Sequence, residues 1–171
     1  DDVPLQMSLT TNMRQLTNEK SKSAFQKAII TLKLPDSTDV KEEIEIRARG
    51  NFRKDYCFIP SLMLNFKPVD MNKMASLEKM KMVCTCRLGK EFEQLVLKEY
   101  ISYKIFNTLT DMSFRVRLVM IDFIDSEGKK KPISQYGFII EDVDDMAKRN
   151  NCREFELMKL QAEATDRKYM T

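Results

Sequence analysis

The chain has 171 residues, and its 29 basic against 26 acidic side chains leave a formal charge of only +3. That length buries a core without help from metals or disulfides and fits one domain, while so balanced a charge supplies no basic stripe of the kind that tracks nucleic-acid phosphates. Histidine is absent, which removes the commonest general base, the commonest zinc ligand and every Ser-His or Cys-His dyad.

No run approaches the roughly 20 apolar residues that span a bilayer. The start, Asp1-Asp2-Val3-Pro4, has neither the basic nor the apolar region of a signal peptide. The expectation is a soluble chain without a membrane span, equally compatible with a mature exported product.

In chain order, residues 5–16 and 28–34 read as strands around a polar connector. The stretch from Ile44 to Lys67, IEIRARGNFRKDYCFIPSLMLNFK, concentrates the most specific chemistry. Ile44, Ile46 and Ala48 alternate with Glu45, Arg47 and Arg49, giving a strand with one apolar and one charged face. Gly50-Asn51 breaks the run. Leu62, Leu64 and Phe66 then share one face of a second strand, with Met63, Asn65 and Lys67 on the other. Arg47, Arg49 and Lys67 are candidates for one basic surface, against the plainer alternative of solvated charges on an open sheet face.

Residues 79–87 form a further strand, with Met80, Met82, Cys84 and Cys86 on one side and Lys81, Val83 and Thr85 on the other. Cys84 and Cys86 are poorly placed to bridge each other. Cys57 could bridge either of them in an oxidising compartment, or the thiols stay free. Gly89 precedes a helix over 90–110. Its stripe of Phe92, Val96, Tyr103 and Phe106 has Glu99 in the middle, and Leu97, Ile101 and Ile105 make a second apolar stripe, so the helix is expected to be covered on both sides. A carboxylate amid aromatic residues needs a cation or a route to water. The candidate partners of Glu99 are Lys67, Lys81, Arg47 and Arg49.

Residues 114–124 and 133–141 read as strands joined by a hairpin tip at 125–132. Glu141 and Asp142 lead into a helix over 143–149. Residues 150–171 are charged and helix-prone, with Phe155, Leu157, Met158 and Leu160 as a partial apolar face.

Strands, a helix with an inward glutamate, and two more strands ending in an acidic residue follow the order of a protein-kinase amino-terminal lobe. The strings IEIRARGNFR from Ile44, SLMLNFK from Ser61, LVLKEYISYKIF from Leu95, FRVRLV from Phe114 and YGFIIEDV from Tyr136 resemble the spore-coat protein H (CotH) kinase-like family in order and spacing, over about residues 44–149. The resemblance implies an α+β fold: an antiparallel β-sheet packed with one main helix over residues 1–149, plus C-terminal helices, with 150–171 extending towards a second lobe. It further implies an atypical, often exported kinase that binds ATP with Mg or Mn and acts on a protein substrate of unknown identity. Arg47, Arg49 and Lys67 would lie near the nucleotide phosphates, Glu99 would fix a basic side chain, with Lys67 and Lys81 both in reach as the pairing lysine of the nucleotide site, and Glu141 would sit near the hinge. Kinase folds keep their metal-holding carboxylates in the second lobe. No such string precedes Thr171, so phosphoryl transfer is not expected of these residues alone. The alternative is a non-catalytic surface or spore-coat-type interaction module, motivated by the double-sided helix and by 12 methionines and 10 phenylalanines. Paired-carboxylate glycoside hydrolysis ranks last, for want of a suggestive acidic pair.

Overall fold

The structure, a computed structural model, describes residues 3–18, 24–34, 38–66 and 79–154. Period-two alternation decides its strands. Met7, Leu9 and Thr11 are the buried side of β1 (Leu5–Thr11), Ala28 and Ile30 that of β2 (Gln26–Lys33), and Val40, Glu42, Ile44, Ile46 and Ala48 that of β3 (Asp39–Arg49). Leu62 and Leu64 of β4 (Ser61–Asn65), Met82 and Cys84 of β5 (Lys79–Cys84), and Val119, Ile121 and Phe123 of β6 (Val116–Asp125) join them in one apolar cluster, with Ile133 and Ile139 of β7 (Ile133–Ile140) packed against it. The helices are α1 (Met13–Asn18), α2 (Asn51–Tyr56), α3 (Lys90–Leu109) and α4 (Val143–Arg149).

The strands close into a barrel in the order β1-β2-β3-β4-β5-β7-β6. Every neighbouring pair is antiparallel except the seam, where β1 runs parallel to β6 from Leu5 opposite Val119 to Thr11 opposite Asp125. This corrects the expected fold class. An open antiparallel sheet with one main helix, of the kinase amino-terminal-lobe type, is replaced by a closed mixed barrel of seven strands with four mostly short helices among the described residues. The physical reason is the seam: alternation specifies which side chains face inward, and it reads the same for an open sheet and a closed one. Two shorter elements also differ. Residues 5–16 divide into β1 and α1, and the Gly-Asn break opens the short helix α2. Of the expected helix over 150–171, residues 150–154 form a turn and irregular chain, and 155–171 lie outside the described residues.

The barrel's outer surface carries α3. Val83, Phe138 and Ile140 point outward from β5 and β7 and pack against Val96 and Tyr100, with Tyr103, Phe114, Val116 and Leu118 at the margin. The expected second cover on α3 is not observed among the described residues. Leu95, Ile101, Ile105, Phe106 and Leu109 are exposed, because Val96 and Tyr100 turn a single narrow stripe towards the sheet. Among the described residues no helix is long and apolar enough to cross a membrane.

Asp125 clasps the seam at one end of the barrel. Its carboxylate accepts from the Met13 N–H at 3.1 Å and from the Lys129 and Lys130 N–H groups at 2.9 and 3.1 Å. Burial opposes its ionisation, but these backbone donors hold it below its ordinary value of 3.8. The clasp ties the start of α1 to the β6–β7 hairpin, whose turn uses Gly128 at φ 66°.

Gly137 sits between β5 and β6, opposite Cys84 and Val119. A Cβ there would lie 2.7 Å from the Val83 carbonyl oxygen. Gly137→Ala is therefore expected to cost about 1–3 kcal/mol through forced strand displacement. Urea unfolding checks this, and an unchanged midpoint would show that the strands have room to part.

Candidate functional site

On the outer surface, β3, β4 and β5 meet α2 and α3 around a cleft of about 410 Å³ lined by Arg49, Arg53, Ser61, Lys81, Glu99 and Glu141, with Phe52, Tyr103 and Phe114 among its apolar walls. Strand parity places the first members. Arg49 is directly opposite Ser61, so their side chains leave the sheet on the same face, and Lys81 leaves β5 on that face opposite Ile140. Four of the six expected site residues, Arg49, Lys81, Glu99 and Glu141, thus converge. Arg47 does not line the cleft; its guanidinium lies 4.8 Å from the centroid of the Phe25 ring. Lys67 lies outside the described residues.

The expected partner of Glu99 is corrected as well. Arg53, from α2, supplies the cation, with Nη2 at 3.2 Å from Glu99 Oε2 and Nη1 donating to the Cys84 carbonyl at 3.1 Å. Both side chains are about one-third exposed, so the pair is worth under about 1 kcal/mol. Lys81 turns instead to Asp142, at 2.9 Å. Arg53 closes the same Arg-Gly-Asn-Phe-Arg string that carries Arg49. The missed signal was that a helix begun at Gly50 brings residue 53 back over the end of β5.

The carboxylates around the cleft are each committed to a cation. Glu141 receives Arg149 Nε at 3.1 Å, Arg149 Nη2 at 2.9 Å and the Arg115 N–H at 2.9 Å. Burial works against its ionisation, but Arg149 and the Arg115 N–H more than offset that and hold its carboxyl below 4.5. Asp142 is likewise held below 3.8: burial opposes, while Lys81 and the Asp144 N–H at the cap of α4 favour the charged form.

Arg49 is the exception. It is half-buried, and among the described residues its side chain has no ion pair or hydrogen bond. Burial pulls its guanidinium below the ordinary arginine value, against the opposing pull of Asp142 and Tyr103 and with nearby Arg53 adding to it. Ser61 repeats the pattern: 5% exposed, its hydroxyl oxygen has no hydrogen-bond partner among the described residues. A half-buried cation and a buried hydroxyl without partners among the described residues, side by side on one sheet face, are a donor set of the kind that suits an oxyanion.

One wall of the cleft is α2, fixed at both ends. Gly50 enters it at φ 85°, and a disulfide joins Cys57, just after it, to Cys86 beyond β5. Cys84 stays a free buried thiol, pushed up to about 12 by burial against a small opposing effect of Arg53. Phe52 and Tyr56 stack on the exposed side of α2, ring centroids 4.3 Å apart.

Comparison with family models, curated proteins and solved structures gave no match. The CotH-like resemblance stands on its strings alone.

Glu141→Gln keeps the shape and removes the charge that Arg149 and Arg115 address. We expect a loss of about 1–3 kcal/mol at pH 7. Because the folded carboxyl is held below its unfolded value, that stability is present above about pH 4.5 and disappears as pH falls through the depressed folded value. Denaturation of both proteins at pH 7, 5 and 3 checks the sign: the gap must close towards acid, and a constant gap would refute it.

Proposed function

We propose that the cleft binds the phosphate groups of a nucleotide, with ATP and Mg or Mn as the ligand that the CotH-like strings imply. The observation that carries this reading is the Arg49–Ser61 pair, neither of which has a partner among the described residues. Partly burying a guanidinium that has no ion-pair partner is unfavourable, since the carboxylate that acts on Arg49 from a distance, Asp142, is already paired with Lys81, and a phosphate oxygen between Arg49 and the Ser61 hydroxyl relieves both groups. Lys81 and Arg53 line the same cleft and add positive potential even while paired.

The donor set fits phosphate better than a metal. Glu99, Glu141 and Asp142 are occupied by Arg53, Arg149 and Lys81, so a divalent ion would enter on the phosphates. The residues here bind and orient the phosphates.

Titration calorimetry with ATP and Mg tests the proposal. Arg49→Ala is expected to weaken binding by about tenfold or more and Ser61→Ala by roughly several-fold, while Arg47→Ala, outside the cleft, leaves it unchanged. No binding by the unmodified chain, or equal losses for Arg47→Ala and Arg49→Ala, would sink it.

A second reading, a non-catalytic interaction module, is favoured by the exposed Leu95, Ile101, Ile105, Phe106 and Leu109 on the outer side of α3. An apolar helix face of this kind promotes association. Light scattering decides: a self-associated species that Ile105→Lys disperses supports this reading, and a strict monomer at all concentrations counts against it.

A further inference from the structure

Phe52 and Tyr56 are separated by one helical turn of α2, and both rings are largely in water, 67% and 62% exposed. The rings are stacked at 4.3 Å with 21° between their planes. A stacked pair fixes the orientation of both side chains, and the Phe52 side chain also lines the Arg49 cleft. The other aromatic groups at the cleft are engaged elsewhere. Tyr103 packs at 5.8 Å against Phe138, and Phe114 belongs to the cluster under α3.

A planar apolar surface beside an oxyanion receptor matches a ligand with a flat ring system at one end and phosphate at the other. We propose that the Phe52 ring, backed by Tyr56, is the stacking platform for the base of the nucleotide whose phosphates occupy Arg49 and Ser61. The inference rests on the phosphate-binding reading above and names the part of the ligand that α2 receives. Every base offers a π-face, so stacking is tolerant of base identity. ATP and GTP are therefore expected to bind within a few-fold of each other, and both more tightly than a bare polyphosphate.

The test compares ATP, GTP and inorganic tripolyphosphate, each with Mg, on the full chain and on Phe52→Ala, Phe52→Trp and Arg49→Ala. Stacking one base is worth about 5- to 150-fold in affinity. The expected result is that gap between ATP and tripolyphosphate, abolished by Phe52→Ala through loss of ATP affinity while tripolyphosphate binding stays the same. The chain contains no tryptophan, so Phe52→Trp introduces a sole indole, whose fluorescence should respond to ATP and not to tripolyphosphate. Equal affinities for ATP and tripolyphosphate, or equal losses of both in Phe52→Ala, would overturn the platform and leave the phosphate reading intact. If neither ligand binds, or Arg49→Ala affects neither, the phosphate reading falls and the platform falls with it.

Discussion

The parallel seam between β1 and β6 is the constraint on which the architecture depends. It pairs the first strand with one that begins more than a hundred residues later, and the chain-closure entropy of such a contact is repaid only when the rest of the sheet is in place. Closure removes both sheet edges and gives the surface the curvature over which α2 and α3 lie. Asp125 shows how tightly the seam is tied. It is the last residue of β6, pairs with the last residue of β1, and its carboxylate collects backbone donors from α1 and from the hairpin tip. A carboxylate is suited to this place because three backbone N–H groups converge there with no carbonyl to receive them.

Charge matching on the outer surface follows from that curvature. Glu99, Glu141 and Asp142 come from α3, the end of β7 and the cap of α4, and each meets a cation from a different element: Arg53, Arg149 and Lys81. The first pair links α2 to α3 and the other two link α4 to β5 and to the end of β7, and each engages a charge within the chain. Arg49 is left over because its strand position, opposite Ser61, fixes it beside a hydroxyl instead of a carboxylate. Arg49 is thus the cation around this cleft whose neighbours leave it without an ion pair among the described residues, and electrostatic complementarity not met within a chain is available to a ligand.

Much of this was legible in the sequence. Alternation in Ile44 to Arg49 and Leu62 to Phe66 gave the correct inward and outward faces, and α3, the β6–β7 hairpin and α4 fall where periodicity and turn residues put them. Closure was not legible, because pairing across that separation leaves no local pattern. Nor was the partner of Glu99. The four residues weighed for it lie on strands or beyond the described residues, whereas Arg53 belongs to a helix too short to show a period. The sequence chemistry left open whether Cys57 bridges Cys84, bridges Cys86 or stays a free thiol. Strand parity separates the two: Cys84 faces the barrel interior, and β5 ends there, which frees Cys86 to turn towards Cys57.

That bridge bears directly on α2. A helix of six residues does not persist in water by its own hydrogen bonds, because nucleation costs more than one turn returns. The helix has few buried contacts of its own, with Phe52 and Tyr56 exposed, so its position comes from its ends. Gly50 sets the entry angle with a backbone conformation that a side chain would strain. Cys57 ties the exit to Cys86 across 29 residues of sequence, a loop whose closure is worth about 3–4 kcal/mol in chain-entropy terms. Arg53 and Phe52 therefore reach the cleft from a segment held by covalent and conformational constraint rather than by a core. The Glu99 pair, the aromatic stack and the wall beside Arg49 all share that one support, so the cleft keeps its shape only while both ends of α2 are held.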